Sequence, residues 1–278
     1  MSARPAVRLL PALLVLAAAS ATAQSSRTLP DDDWCDNALS GSWGGGDRGR
    51  AVACEVREVV LRTDRLAVQS QNGGVTVRPW DRPDVLVRAR VASRARTPDA
   101  AERNVRATRF EVDRGAVRAA TPRPGRGTYV VVDYEVFAPA PTALDLKTTN
   151  GGLRADGMSG PFSGVTVNGG IAVADMTGDV HARTTNGGIT ARVGRRAAAH
   201  DLKTTNGGIT VEVADGVSAD LVASTRVGRI STSGLRLQNE VRERGRYVGD
   251  EVVATLGRGG PRLSAQTTNG GISIRGGR

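Results

Sequence analysis

The chain has 278 residues and a formal net charge of +10, but only 3% of its residues are aromatic. This length suits one large domain, and the scarcity of rings excludes the aromatic-rich core of most globular proteins. The composition instead favours thin, regularly stacked layers of Val, Leu, Ile and Ala. The basic charge favours anionic partners without selecting one class of them.

The N-terminus has the pattern of a secretory signal. Residues 1–8 are basic, residues 9–19 are apolar, and Ala21-Thr22-Ala23 provides the small residues of a cleavage site. The apolar stretch is too short to span a bilayer as a helix. We therefore predict a signal peptide over residues 1–23, no transmembrane anchor, and export to the periplasm, the cell surface or the medium.

The two cysteines of the chain are Cys35 and Cys54. Export to an oxidising compartment favours a disulfide between them. In the chain-entropy model, this bond would stabilise the fold by about 3 kcal/mol. The rival interpretation, a metal site, needs more ligands than two thiolates supply.

An internal repeat occupies most of the remaining chain. The string Thr-Thr-Asn-Gly-Gly occurs four times, and looser copies end at residues 74 and 170. The asparagines of the six copies are Asn72, Asn150, Asn168, Asn186, Asn206 and Asn269. A degenerate copy has Val227 in place of the asparagine. Most copies lie 18 to 21 residues apart.

Apolar and polar residues alternate on both sides of each Asn-Gly-Gly. The third residue after the asparagine, for example, is Ile171, Ile189 and Ile209 in three successive copies. This period of two predicts a strand on each side of a turn. Asn and Gly tolerate positive φ, so the turn between the strands can bend sharply.

Two geometries fit this repeat. Asn-Gly is a strong hairpin signal, so an antiparallel meander is one of them. The other, which we favour, is an all-β solenoid of 18–21-residue Asn-Gly-Gly coils. Its equivalent residues would stack about 4.8 Å apart. The asparagine amides and the threonine hydroxyls would then form ladders.

Residues 78–140 depart from the short period. We predict an elaborated coil or a small N-terminal α+β cap in this segment. Thr97 and Pro98 have the pattern of an N-cap and a first helical residue, which predicts a short helix that ends near Arg109. The predicted strands of the segment lie at 85–91, 110–120 and 128–137.

The predicted domain organisation follows from these segments. The solenoid domain spans 65–278, and residues 234–262 form an inserted hairpin or long loop near its far end. Residues 24–64 form a disulfide-containing cap over the first coil, because a bare terminal coil would expose strand edges.

The chain resembles a known family. The residues that carry the resemblance are Trp34-Cys35, Cys54-Glu55-Val56-Arg57-Glu58 and the Leu-x-Leu-x-Thr-x-Asn-Gly-Gly-Ile repeats. Together they resemble the bacterial putative-adhesin family of β-strand-repeat proteins, from about residue 50 to the end. The resemblance implies a β-solenoid that faces the cell envelope or the exterior, and it supplies no catalytic residues. The lost asparagine at Val227 predicts a local break in the stack.

The pairs Asp145/Lys147 and Asp201/Lys203 are the most tempting catalytic candidates. They lie three coils apart, about 14 Å at the strand spacing, so they cannot form one tight site. The Asp pattern of calcium-binding β-rolls is also missing after the glycines. We therefore predict no catalytic, metal or cofactor site.

One candidate for anion binding is a basic column. Lys147, Arg183 and Lys203 share the position three residues before the asparagine, and an anionic ligand would relieve the repulsion between stacked like charges. Seven arginines between residues 88 and 109 form a second basic region. Neither region has interleaved aromatic residues, so no nucleic acid is expected as a partner.

The sequence thus favours an exported, non-enzymatic β-solenoid that acts as an adhesin-like or envelope-associated binding or structural module. Its expected partner is an anionic glycan, a cell-envelope polymer or a surface protein. Two alternatives stay open. One is a polysaccharide-active enzyme on a β-helix, and the other is an anion-binding envelope sensor.

Overall fold

The protein, seen in a computed structural model that describes residues 23–29, 34–35, 50–123, 125–245 and 249–277, is built from two eleven-stranded sheets. Strand numbers follow the chain, whereas the strands of each sheet are named in their spatial order. Sheet A contains β1 (Ala23–Leu29), β2 (Ala51–Leu61), β5 (Val85–Ala95), β8 (Tyr129–Ala138), β4 (Val75–Pro79), β10 (Leu153–Asp156), β12 (Ile171–Ala174), β14 (Ile189–Val193), β16 (Ile209–Val213), β22 (Ile272–Gly276) and β18 (Ile230–Ser233). Sheet B contains β19 (Leu237–Arg244), β20 (Asp250–Leu256), β17 (Ala219–Val227), β21 (Arg262–Asn269), β15 (His200–Asn206), β13 (Val180–Asn186), β11 (Phe162–Asn168), β9 (Ala143–Asn150), β3 (Arg65–Asn72), β7 (Ala116–Ala120) and β6 (Arg109–Asp113).

Each Asn-Gly-Gly forms the corner between a strand of sheet B and the next strand of sheet A. We call one such pair of strands with its corner a rung. Neighbouring rungs pair in parallel and in register, so that Ile171 pairs with Ile189 and Ile189 with Ile209. The predicted β-solenoid is therefore confirmed, and the alternative of an antiparallel meander is wrong for these rungs.

The core lies between the two sheets and consists mainly of Val, Leu, Ile and Ala side chains. Phe162 is one of the few buried rings, and Gly164 follows it two residues later on the same inward face. A Cβ added to Gly164 would lie 2.6 Å from the Phe162 ring. The Phe162 ring thus fills the space that a side chain at position 164 would occupy.

The spatial order of the rungs differs from their chain order at the far end. The last strands, β21 and β22, insert between the β15–β16 rung and the β17–β18 rung. Asn269 therefore stacks on Asn206, and Val227 belongs to the terminal rung. The predicted break at Val227 is wrong, because the amide of Gly270 still donates to the Val227 carbonyl over 2.9 Å.

The segment predicted as an insertion contains β19 and β20, which form an antiparallel pair. β20 also pairs with β17, so this hairpin extends sheet B past the terminal rung. Asp250 at the start of β20 accepts a hydrogen bond from the amide of Ile230 over 2.9 Å. In the interior rungs the equivalent isoleucine amide donates to a glycine carbonyl, as Ile189 does to Gly208. The Asp250 carboxylate thus replaces the carbonyl that a further rung would supply.

The segment 78–140 adds strands beside the first rung. Helix α1 (Pro98–Ala107) begins after Thr97, whose side chain accepts a hydrogen bond from Ala100, and it packs on β2 and β5. The predicted single strand over 110–120 is wrong. Arg114 and Gly115 have positive φ angles of 44° and 80°, and this turn divides the stretch into the hairpin β6–β7.

The N-terminal strands lie at one end of sheet A. Cys35 and Cys54 form the predicted disulfide. β1 pairs with β2 and β2 pairs with β5, so this segment lengthens sheet A. At this end of the solenoid, the strands that pair directly with the first rung are β7, beside β3, and β8, beside β4. Residues 1–22 of the predicted signal peptide lie outside the described residues. The described helix α1 is too short and too polar to cross a membrane.

Candidate functional site

The corner of the solenoid carries a continuous ladder of asparagine side chains. Each Nδ2 donates to the Oδ1 of the asparagine in the preceding rung, over 2.8–2.9 Å. The ladder runs through Asn72, Asn150, Asn168, Asn186, Asn206 and Asn269. Because Val227 lies outside this series, the six asparagines form one uninterrupted stack.

The first glycine of each corner lies against the backbone of the neighbouring rung. Its amide donates to an asparagine carbonyl, as Gly187 does to Asn206 over 2.9 Å. A Cβ added to Gly187 would lie 2.0 Å from the Gly169 carbonyl oxygen, closer than side chains tolerate. Glycine is therefore needed at this position for steric reasons.

The threonines before the corner do not form the hydroxyl-to-hydroxyl ladder that the sequence predicted. Each buried hydroxyl donates instead to the first-glycine carbonyl of the preceding rung, as Thr184 does to Gly169 over 2.8 Å. The carbonyl has no partner amide at the bend, so the threonine hydroxyl satisfies it. Alternation along the strand places this side chain inside, where a backbone acceptor is the nearest partner.

In the Asn-Gly-Gly corners after the first, the second glycine is exposed and leaves its amide open. Its carbonyl accepts from the amide of the aliphatic residue in the preceding rung, as that of Gly188 does from Ile171 over 3.0 Å, but its own N–H has no hydrogen-bond partner among the described residues. The glycines with this open amide are Gly152, Gly170, Gly188, Gly208 and Gly271. The exception is Gly74 in the first rung, whose amide donates to Asp133 Oδ1 over 2.8 Å.

Strand β8 lies beside the corners of the first rungs, so that the strand and the corners enclose a groove. Residues 134–138 of β8 pair with β4, while residues 129–133 continue past the corner and pair only with β5. The resulting open groove has a volume of about 1150 Å³. We call it the corner groove. Its floor consists of corner glycines and outward side chains, including Gly152, Gly170, Gly188, Thr76 and Arg154. Its wall includes Tyr129, Val131, Asp133 and Arg94.

The corner groove combines an exposed aromatic ring on its wall with a basic side chain on its floor. Tyr129 is 58% exposed, and its ring is the one exposed aromatic ring among the described residues. Asp133 is the one carboxylate that lines the groove among the described residues, and Arg90 pairs with it over 2.7 Å. Arg154 is exposed and has no ion-pair partner in the described part of the chain. The groove therefore has a net positive charge.

The structure brings together only part of the basic column. Arg183 and Lys203 occupy adjacent rungs and line a smaller depression of about 660 Å³ on sheet B. Val165 separates Arg183 from Lys147. Asp201 lies 3.8 Å from Arg183 and 3.2 Å from Lys203.

Lys147 has its own carboxylate partner, because Asp145 lies 2.9 Å away. Most of the positive charge of the column is therefore already balanced. The arginine-rich region is balanced in the same way. Arg88, for example, pairs with both Glu58 and Glu135 over 3.0 Å.

The acidic and histidine side chains that could serve catalysis are dispersed. Asp145 and Asp201 lie on the outward face of sheet B, three rungs apart. His181 is exposed and lies 3.8 Å from Asp201. His200 is buried in the core, and desolvation lowers the pKa of its imidazole. In the described residues, no three His, Cys, Asp or Glu side chains are arranged to hold a metal ion.

The corner groove and Asp133 were missed by sequence reasoning. The six Asn-Gly-Gly copies indicated the corner itself, but the wall depends on a strand outside the repeat. The one available signal was length, because β8 has 10 residues while the paired strand β4 has 5.

Comparison with known proteins finds one family model and solved structures that are similar to this chain. Residues 57–275 match the model of the Toastrack DUF4097 family. A putative cell adhesion protein from Clostridium sporogenes is 11% identical over 79% of this chain and 99% of its own, with a TM-score of 0.37. A putative adhesin from Bacteroides fragilis is 6% identical over 83% of this chain and 98% of its own, with a TM-score of 0.33. No curated protein matches the chain.

Proposed function

The chain belongs to the Toastrack DUF4097 family, and from that premise we propose that it is an exported, non-enzymatic binding module of the cell envelope or surface. Its ligand is an extended polymer, and the corner groove is the surface that holds it. The observation that carries this proposal is the groove itself, which follows the stacking direction from Gly74 to Gly188 with equivalent groups in each rung.

The geometry of the corner suits a polymer better than a small molecule. The floor of the groove repeats once per rung, about every 4.8 Å, because the rungs pair in register. A repeating ligand can make the same contact several times along such a floor, and the contacts then add in one binding event. The Tyr129 wall supplies an apolar ring face beside this polar floor.

The distribution of acids supports binding rather than hydrolysis. Glycoside hydrolysis generally needs two carboxyl groups about 5 to 10 Å apart across the scissile bond. The described residues that line the corner groove include one carboxylate, Asp133, and it is held by Arg90 and the Gly74 amide. The smaller depression on sheet B has no acidic residue among its described lining.

Two features support export. Residues 1–23 have the sequence pattern of a signal peptide. The Cys35–Cys54 disulfide is the kind of bond that persists in oxidising compartments and is rare in the cytosol. Fractionation of the source cells, with detection of the mature N-terminus, tests this part of the proposal. A full-length chain in the cytosol would contradict it.

A binding screen with the purified mature chain tests the proposed function. The panel contains neutral and acidic glycans, cell-wall polymers and surface proteins, and the products are analysed after incubation. We expect a glycan or wall polymer to bind without turnover. Replacing Tyr129 with Ser is expected to weaken this binding by at least fivefold.

The matched control is Val241→Ser, which changes an exposed residue on β19, away from the groove. It should leave binding unchanged. Turnover of any polymer would contradict the non-enzymatic part of the proposal. Equal binding by the wild type and the Tyr129→Ser variant would contradict the assignment to the corner groove.

A further inference from the structure

We propose that the corner groove binds a polyuronate, a polysaccharide whose sugars carry carboxylates. The open amides of the second glycines and the Arg154 guanidinium would receive its carboxylate groups. This inference rests on the proposed function, because it names the ligand chemistry of the same groove.

The first rung shows how a carboxylate sits on this corner. The Gly74 amide donates to Asp133 Oδ1 over 2.8 Å, and both residues line the groove. The rungs that follow pair with the first one in register, so the amides of Gly152 and Gly170 occupy equivalent positions, one rung spacing apart. A ligand carboxylate would therefore meet an open amide in the way that Asp133 meets Gly74.

The charges in the groove favour an anion. Arg154 is exposed on the groove floor and has no carboxylate partner in the described part of the chain. Arg90 already neutralises Asp133, so Asp133 does not cancel the positive charge of Arg154. Backbone amides that point the same way add a strip of partial positive charge. Hydrogen bonds from such donors to an ionised carboxylate are stronger than those to neutral acceptors.

The spacing favours a polysaccharide over an acidic peptide. Side chains on one face of an extended peptide repeat about every 6.6 Å, which falls out of step with amides about 4.8 Å apart. Along a ribbon-like 1,4-linked polyuronate, each sugar advances by close to one rung spacing, and the carboxylates alternate between the two faces. The carboxylates on one face therefore recur at close to two rung spacings and stay near every second glycine. The exposed ring of Tyr129 at the wall offers a face on which a sugar can pack.

Calorimetry with the purified mature chain tests this inference. The probes are an oligogalacturonate, the same oligomer with its carboxyls methyl-esterified, and a polyglutamate of equal charge. We expect the free acid to bind at least tenfold more tightly than the ester, and its affinity to fall as salt rises. Polyglutamate should bind more weakly than oligogalacturonate.

Two charge-removing variants locate the site. Arg154→Gln removes one positive charge from the corner groove, and Arg183→Gln removes one from the outer face of sheet B. Both side chains are exposed, so both variants should fold, which thermal unfolding checks. We expect Arg154→Gln to weaken oligogalacturonate binding by about tenfold. Arg183→Gln should change it by less than twofold.

Each other result overturns a stated part of the account. Equal affinity for acid and ester, or binding only of neutral polymers, would refute the polyuronate and leave the proposed binding function intact. Tighter binding of polyglutamate would assign the groove to a peptide. A loss in Arg183→Gln without a loss in Arg154→Gln would move the carboxylate site to sheet B. Failure of every polymer in the panel would refute both the inference and the proposed function.

Discussion

Replacing Gly187 with alanine should strongly destabilise the solenoid. The new Cβ would lie 2.0 Å from the Gly169 carbonyl oxygen and 2.6 Å from its carbon. Both contacts are with backbone, which cannot rotate away as a side chain can. The two rungs must therefore separate by roughly 1 Å at the corner, because heavy atoms pack no closer than about 3 to 4 Å.

That separation strains four hydrogen bonds between the two rungs. Two are backbone bonds, from the Gly169 amide to the Asn186 carbonyl and from the Ile171 amide to the Gly188 carbonyl. The other two come from side chains, from Asn186 Nδ2 to Asn168 Oδ1 and from the Thr184 hydroxyl to the Gly169 carbonyl. All four span 2.8–3.0 Å. Each is worth about 0.5–1.5 kcal/mol net, and overpacking by itself costs about 1–3 kcal/mol. We expect a loss of about 3 kcal/mol in the free energy of unfolding. For a chain of this size, that corresponds to a fall of roughly 6–12 °C in Tm.

The matched control is the adjacent residue. A Cβ at Gly188 would lie 3.3 Å from the Gly208 carbonyl oxygen, so a shift of a few tenths of an ångström accommodates it. We expect Gly188→Ala to change the free energy of unfolding by less than about 1 kcal/mol, because the lower entropy of its unfolded chain partly offsets the small steric cost. Urea and thermal unfolding, followed by circular dichroism, compare the two variants. Equal stability of both would refute the backbone-on-backbone stacking of the corners.

Three further predictions concern the ladder, the core and the disulfide. Val227→Asn should let the new amide donate to Asn269 Oδ1 and raise the free energy of unfolding by about 0.5–1 kcal/mol, whereas Val241→Asn, at a similarly exposed site outside the corner, should not. Burial lowers the pKa of His200, so the unfolded chain binds the proton more tightly than the folded chain does. The free energy of unfolding should therefore fall as the pH drops below the ordinary histidine pKa of about 6.5 and through the lower folded value. His200→Leu should remove this loss in urea titrations between pH 7 and about pH 5, while His181→Leu, at an exposed site, should retain it. Reduction of the Cys35–Cys54 disulfide, which links residues 19 positions apart, should lower the free energy of unfolding by about 3 kcal/mol, and an unchanged value would contradict a stabilising role for it.

The sequence predicted the rungs well because identical residues stack on identical residues. The Asn-Gly-Gly copies and the isoleucines after them specified the parallel register, including the pairing of Ile189 with Ile209. The order of the rungs was not predictable in the same way. Any copy can stack on any other with similar contacts, so nothing local indicated that Asn269 would insert between Asn206 and Val227.

The site was less accessible to sequence reasoning than the fold. The basic column was found because its members share one position in the repeat, but its neutralisation depends on side-chain contacts such as that of Asp201 with Lys203. The corner groove depends on how far β8 extends past β4, which no periodicity reports. The open amides of the second glycines are also hidden, because a sequence shows the glycines and not the direction of their N–H groups.

Amide hydrogen exchange measured by NMR tests the corner groove most directly. In the free chain, the amides of Gly170 and Gly188 should exchange rapidly, while those of Gly169 and Gly187, which donate to the adjacent rung, should be protected. Addition of oligogalacturonate should slow the exchange of Gly170 and Gly188 and leave the protected pair unchanged. Exchange at Gly170 and Gly188 that is already slow in the free chain, or that stays rapid with bound ligand, would contradict the account.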